Sequence, residues 1–243
     1  MIEFETVSFS YSRQPVLRDA SFSIRSDEQV AILGESGEGK TTILRLIMGL
    51  IRPDSGRILI DGEDITGKPE NEMRETRMKF SIVFQEGALF DSLNVKENVA
   101  FCLREHSKLR EEEIHRQVVG LLKTIGMEEA LYLMPEELSG GMLRRVAIAR
   151  SLAACQPRMF LYDEPTSGLD PINADNICRL IMELSHDGIG HIVVTHKIFD
   201  AMKVATRFMF LKNGRILFDG NRQELLLSII PDIQLFLREL ECR

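Results

Sequence analysis

The residues Gly34 to Thr41, Gly-Glu-Ser-Gly-Glu-Gly-Lys-Thr, have the types and spacing needed to hold phosphate. In a Gly-x-x-x-x-Gly-Lys-Thr loop, successive backbone N–H groups cradle phosphate oxygens, the lysine reaches the β/γ-phosphates and the hydroxyl binds Mg²⁺. Glycines let the backbone curl tightly and approach the anion closely. Gly34, Ser36, Gly37, Gly39, Lys40, Thr41 and Thr42 are therefore candidate contacts for a nucleotide.

Three apolar runs end in polar groups that a phosphate site could use. The run over 158–162 ends in Asp163-Glu164, and two adjacent buried acids are costly unless one holds a metal and the other does proton chemistry. The run over 191–195 ends at His196, and the run over 80–84 ends at Gln85. Ser139-Gly140-Gly141 opens a helix, with a hydroxyl, free N–H groups and a positive helix end; it reads either as a second anion site or as a plain capped helix start. Tyr11 stands at a strand end, where its ring either stacks on a base or is an ordinary terminal tyrosine.

These groups need particular elements to position them. A strand over 29–33 precedes the loop, and a helix over 40–50, with Ile43, Leu46, Ile47 and Leu50 on one face, follows it. Residues 2–24 alternate as two or three strands of an antiparallel edge, with Val16-Leu17 in the return strand. The polar segment 63–77 reads as solvent-facing. Helices over 95–104, 110–123 and 143–155 interrupt the strand–helix alternation, which marks an inserted helical subdomain. A hairpin turns at Asn213-Gly214, and Ile233, Phe236, Leu237 and Leu240 fall at helical spacing. The fold class is α/β: a parallel-sheet core with an antiparallel β edge, divided as 1–86 and 156–220 for the core, 87–155 for the helical subdomain and 221–243 for a helical tail.

The chain has 243 residues, with 30 Lys+Arg against 37 Asp+Glu, a formal charge of −7. That balance argues against a nucleic-acid partner held by counterion release. The start lacks a signal-peptide pattern, and no apolar run reaches the 18 or so residues that span a bilayer. Cys102, Cys155, Cys178 and Cys242 are widely spaced, as expected of reduced thiols rather than a zinc site or disulfide framework.

Taken in this order, the motifs resemble those of ABC-type ATPase subunits over nearly the whole chain. Gly34–Thr41 matches the Walker A motif, Gln85 the Q-loop, Leu138–Met142 the signature, Phe160–Asp163 with Glu164 the Walker B, Ser167–Asp170 the D-loop and His196 the switch histidine. The resemblance implies a P-loop NTPase (RecA-like) core, ATP and Mg²⁺, and a homodimer in which one chain's signature covers ATP held by the other's Walker A. Leu138 lies 104 positions after Gly34, which suits two sites on separate lobes. It implies Lys40 at the β/γ-phosphates, Thr41, Gln85 and Asp163 at Mg²⁺, and Glu164 polarising water. His196 would hold the γ-phosphate end, Tyr11 stack on adenine with Val16 beside it, Ser139, Gly140 and Gly141 act on the partner's nucleotide, and Asp170 line the dimer contact. Met142 stands where most signatures have Gln, and Lys197 where Asp follows the histidine. Glu35 and Glu38 put acids in the phosphate loop, and an inward-pointing Glu38 would weaken ATP binding.

Residues 85–90, Asn94-Val95, Asn98-Val99-Ala100, Leu103-Arg104-Glu105-His106 and Met134-Pro135, with the Met142 signature, are similar to the ATPase subunit of MCE-type phospholipid transporters. This implies transport of phospholipid between bacterial membranes, an integral membrane permease gripped by the segment after Gln85, an MCE-domain lipid-binding subunit and a small cytosolic accessory protein. Of the apolar Leu89, Phe90, Val95 and Val99 in that segment, either some form the groove that accepts a permease helix or all four fill the core of the helical lobe. The chain would lie in the cytoplasm, peripheral on the inner face of the inner membrane. The alternatives are an importer ATPase for amino acids or another small solute, and a non-transporting signalling complex of the cell-division type.

Overall fold

A computed structural model describes residues 1–154, 157–185 and 188–238. Strands β1 (Ile2–Tyr11) and β2 (Gln14–Ile24) form an antiparallel hairpin. With β4 (Ser55–Ile60) and β5 (Glu63–Asp64) they make a sheet ordered β2-β1-β4-β5. The expected β edge is thus a four-stranded sheet of its own. Its inward residues alternate, and Phe4 stacks on Phe22 with ring centroids 4.5 Å apart.

The larger sheet contains β3 (Gln29–Leu33), β6 (Phe80–Val83), β7 (Met159–Asp163), β8 (Gly190–Thr195), β9 (Arg207–Lys212) and β10 (Arg215–Asn221), in the order β10-β9-β3-β8-β7-β6. All neighbours in it run parallel except the β9–β10 hairpin. Every residue of β7 and β8 is buried, because helices cover both faces; this is why these strands read as continuous apolar runs rather than alternating ones. The register pairs Leu33 with Thr195, Asp163 with Val194 and Val83 with Tyr162. Four strands therefore finish level, and the residues that follow emerge at one edge.

Helix α1 (Lys40–Ile47) stops three residues short of the expected end, capped at Met48 and followed by Gly49 at φ +59. The segment 63–77 is not simply solvent-facing: it includes β5, a short 3₁₀ turn and α2 (Met73–Arg77), and it buries Ile65, Met73 and Thr76. Helix α3 (Val95–His106) opens with a capping box between Asn94 and Glu97, and α4 (Glu111–Thr124) carries its three acids in the first turn. Helix α5 (Gly140–Ala154) begins at the glycines of the signature rather than at 143. Helices α6 (Pro171–Leu184), α7 (Ile198–Val204), α8 (Arg222–Leu226) and α9 (Pro231–Leu237) complete the chain.

Three apolar clusters hold these layers together. One lies between the antiparallel sheet, α1 and the larger sheet. A second joins α3, α4, α5 and α6 to Val83, Phe160, Tyr162 and Val193, so the helical segment shares an apolar core with the sheet. The third seats the C-terminal helix: Ile233 and Phe236 pack with Leu33, Ala201, Phe208 and Phe210, and Phe210 meets Phe236 edge to face at 5.3 Å. The tail thus docks on its own chain. Cys102 and Cys178 are free thiols; Cys155, Leu240 and Cys242 lie outside the described residues.

The apolar set after Gln85 divides between core and surface. Val95 and Val99 are fully buried and Leu89 packs against the same cluster, because they fall on the face of α3 and its lead-in that meets α5. Phe90 stays 42% exposed, beside exposed Phe101 at 4.8 Å and under the Arg150 guanidinium.

Candidate functional site

The loop between β3 and α1 rests on two neighbours that demand glycine. A Cβ on Gly34 would lie 2.5 Å from the Leu211 carbonyl oxygen, and one on Gly39, which sits at φ +105, would lie 2.7 Å from Val16 Cγ1. Val16 is therefore packed against the base of the loop. The amides are left to the solvent side, where an anion would meet them together with the start of α1.

Lys40 is 5% exposed and reaches back over the loop, its Nζ donating to the Gly34 and Glu35 carbonyls, both at 2.9 Å, and lying 3.6 Å from the Glu164 carboxylate. Burial pulls its pKa down, and the nearby Glu164 opposes that pull. The ammonium is thus held by carbonyl dipoles that a phosphate could replace.

Thr41 Oγ1 donates to Asp163 at 2.8 Å, joining the loop to the end of β7. Burial raises the Asp163 pKa, the Thr41 hydrogen bond opposes the rise and neighbouring Glu164 adds to it. A bound divalent cation reverses that balance by favouring the carboxylate. Two hard oxygen donors this close suit Mg²⁺, which takes one or two protein oxygens and completes its shell with phosphates and water. Gln85 stands exposed one strand over, beyond β6, while Thr41 and Asp163 bond to each other.

Glu164 is buried and occupies the left-handed region at φ +46, with its N–H donating 2.9 Å to the Val194 carbonyl. A non-glycine residue held there costs on the order of 1 kcal/mol or more, a strain seen where a side chain must be aimed. Its carboxylate accepts from Thr195 Oγ1 at 3.1 Å and meets His196 Nδ1 at 3.0 Å. Asp163 and Glu164 at the end of β7 and His196 just after β8 thus form one contiguous group with Lys40 and Thr41 at the start of α1.

Tyr11 lies at the end of β1 with its ring edge-on to Phe9 at 4.7 Å, and its hydroxyl accepts from Arg45 of α1 at 3.2 Å. The signature lies elsewhere. Ser139 and Gly140 are exposed, with Ser139 Oγ accepting from the Met142 N–H, while Gly141 backs onto Asn173 so closely that a Cβ would lie 2.8 Å from that side chain. Asn173 in turn donates to Asp170 at 2.6 Å. Asp170 caps α6 by accepting from the Ile172 and Asn173 N–H groups, so its carboxylate is engaged within its own loop.

Thr195 and Arg144 contribute without having been singled out from sequence. Thr195 braces Glu164, and its hydroxyl also accepts from the Lys197 N–H; Lys197 Nζ donates 2.7 Å to the Thr166 carbonyl, linking the switch segment to the D-loop. Arg144 of α5, buried, donates 2.8 Å to the Phe84 carbonyl beside Gln85, tying the signature helix to the Q-loop. A polar residue inside an apolar run was the only signal for Thr195, and nothing along the chain marks the partners of Arg144. Glu38 does not point into the cradle: it accepts from the Asn213 N–H at 2.6 Å and pairs with Lys212, which also holds Glu35 at 2.8 Å.

Comparison with known proteins follows the same outline. The family model for ABC transporters matches residues 17–167. The chain is 38% identical over 238 residues to the intermembrane phospholipid transport system ATP-binding protein MlaF of Escherichia coli (strain K12), covering 98% of this chain and 88% of that one. It is 40% identical over 226 residues to the glutamine transport ATP-binding protein GlnQ of the same organism, covering 93% of each. In structure it is similar to the ATP-binding cassette MJ0796, described as a dimeric post-hydrolysis state bound to ADP and Pi, with a TM-score of 0.83 and 31% identity over 91% of this chain and 98% of that one.

Proposed function

Because this chain belongs to the ABC transporter family as an ATP-binding, ATP-hydrolysing subunit, we propose that it powers a membrane transporter that moves phospholipid between bacterial membranes. The observation that carries the substrate is the similarity to a phospholipid-transport ATPase along 98% of the chain, which takes in the helical segment.

Lys40 and the loop amides neutralise the β/γ-phosphates once the ammonium exchanges its two carbonyls for phosphate oxygens. Thr41, Asp163 and Gln85 would hold Mg²⁺, which would supply charge neutralisation at the phosphates. Glu164 accepts a proton from, or orients, the attacking water; Thr195 fixes one side of its carboxylate, and His196, 3.0 Å from the same carboxylate, holds the γ-phosphate end. Tyr11 and Val16 form the adenine side. Ser139, Gly140 and Gly141, at the head of α5 with Ser139 and Gly140 exposed, cover ATP bound to a second copy, with Asp170 at the same contact.

The permease seat is the groove lined by Met78, Cys102, Leu103, His106, Leu121 and Leu152, with Phe90 and Phe101 exposed on α3 and its lead-in. The groove is mostly apolar, and Arg150 of α5, which lies over Phe90, donates to the Gly87 and Ala88 carbonyls just after Gln85, so a helix seated against Phe90 would be felt at the Q-loop. An MCE-domain lipid-binding subunit and a small accessory protein complete the assembly, with the chain on the cytoplasmic face of the inner membrane. Among the described residues no helix is long and apolar enough to cross a membrane, which fits a peripheral subunit.

A second reading, an amino-acid importer, draws support from the 40% identity to the glutamine ATPase. The two separate in one experiment: the complex is purified from its native membrane, and ATPase activity is measured with phospholipid vesicles or with amino acids and their binding proteins. Stimulation by phospholipid supports the first reading. Stimulation by an amino acid alone, or a co-purified permease indifferent to lipid, overturns it and leaves the ATPase assignment intact.

A further inference from the structure

Two acids inside a loop that must cradle a polyanion are an electrostatic conflict, and the fold answers it from across the chain. Gly34 rests on the Leu211 carbonyl, so the phosphate loop backs directly onto the end of β9. The next two residues, Lys212 and Asn213, then reach the loop. Lys212 Nζ lies 2.8 Å from Glu35 and 3.2 Å from Glu38, and the Asn213 N–H donates to Glu38 at 2.6 Å, a pairing between residues 175 apart in sequence. The side chains of Lys212 and Glu38 are 16% and 14% exposed, whereas that of Glu35 is 57% exposed. Solvent screens Glu35, so Glu38 is the charge that matters most.

We propose that Lys212 is a positioning residue for nucleotide binding: with the Asn213 N–H it holds the Glu38 and Glu35 carboxylates against the β9–β10 turn and outside the phosphate cradle, which allows an acid-bearing loop to accept a nucleoside triphosphate. The inference rests on the ATP-binding reading of the loop. Without the ammonium, Glu38 keeps only one backbone donor and turns toward the phosphates, with its charge poorly screened. Repulsion then grows with ligand charge, so the loss is largest for ATP, smaller for ADP and absent for adenosine.

The test is calorimetric titration of the folded full chain at low ionic strength with ATP, ADP and adenosine, with the melting temperature of each variant as a control. Lys212→Met is expected to weaken ATP binding roughly 10-fold, ADP less and adenosine not at all. Lys212→Arg retains affinity. Combining Lys212→Met with Glu35→Gln and Glu38→Gln returns ATP binding to within about 2-fold of wild type, because the charge being restrained is gone. Unchanged ATP affinity in Lys212→Met overturns the proposal. So does an equal loss for all three ligands, which reports a collapsed loop, or a triple variant that fails to recover. A wild-type chain that binds no ATP overturns the nucleotide reading itself, and the role of Lys212 falls with it.

Discussion

The phosphate loop and the signature carry similar chemistry, yet the chain treats them differently. Thr41 is hydrogen-bonded to Asp163, Thr195 and His196 to the adjacent Glu164, and Lys40 lies 3.6 Å from Glu164 as an ion pair, all within one chain, and the loop beneath them is braced by Leu211, Lys212 and Val16. Ser139 and Gly140 stand exposed at the head of α5, and only Gly141 is buried, against Asn173. The first arrangement is held together by contacts within the chain itself. The second presents a helix start whose useful groups face outward, which suits a site completed by another molecule. Preorganised charge is worth most where water is excluded, so the two regions are expected to fail differently when altered.

The largest effect is expected at the braced site. Lys40→Ala removes the main neutraliser of the terminal phosphates and lowers turnover by about 10³-fold or more, measured as phosphate release with a melting-temperature control. Glu164→Gln lowers turnover comparably while leaving ATP binding in place, and size exclusion with ATP and Mg²⁺ then finds a stable dimer. A monomeric, hydrolysing Glu164→Gln variant removes Glu164 from its role.

Altering the exposed region sharpens the contrast. Ser139→Arg is expected to lower turnover by about 10²-fold while the ATP affinity of the dilute chain changes by less than about 2-fold, because binding needs only the cradle. Equal losses in both measurements break the comparison.

The core beneath the cradle also carries a pH dependence. His191 is fully buried between Ser185 and the Val204 carbonyl, and burial pushes its pKa from an ordinary 6.5 down to about 4. Between those values the unfolded chain binds a proton that the folded chain refuses, so stability falls as pH drops from about 6.5 toward 4. At pH 5 the contribution is about 2 kcal/mol less favourable than at pH 7. Denaturant unfolding across that range checks it, and His191→Gln is expected to flatten the slope.

The smallest effect on folding is expected at the groove. Phe90→Asp changes stability by less than about 1 kcal/mol, since the ring is 42% exposed, but abolishes co-purification with the membrane complex. Val99→Asp, by contrast, unfolds the chain, because that side chain is fully buried. A destabilised Phe90→Asp variant assigns Phe90 to the core instead.

Much of the site was legible along the chain because its requirements are local. A strand, a glycine loop and a helix start are contiguous, and the polar residues closing apolar runs at 163–164 and 196 reach one edge because strands that are all parallel end on the same side. The order of those motifs also carried the family. The same local patterns left three matters open that long-range packing decided. An apolar set at 89, 90, 95 and 99 has one sequence signature whether it faces a core or a partner, and the position of α5 sent Val95 and Val99 inward and left Phe90 outside. The tail helix carries one apolar stripe for any surface, and β9 offered it Phe208 and Phe210. Glu38 reads as a liability until Lys212 and Asn213 arrive beside it, because a side chain's direction is set by the charges that folding brings near rather than by its neighbours in sequence.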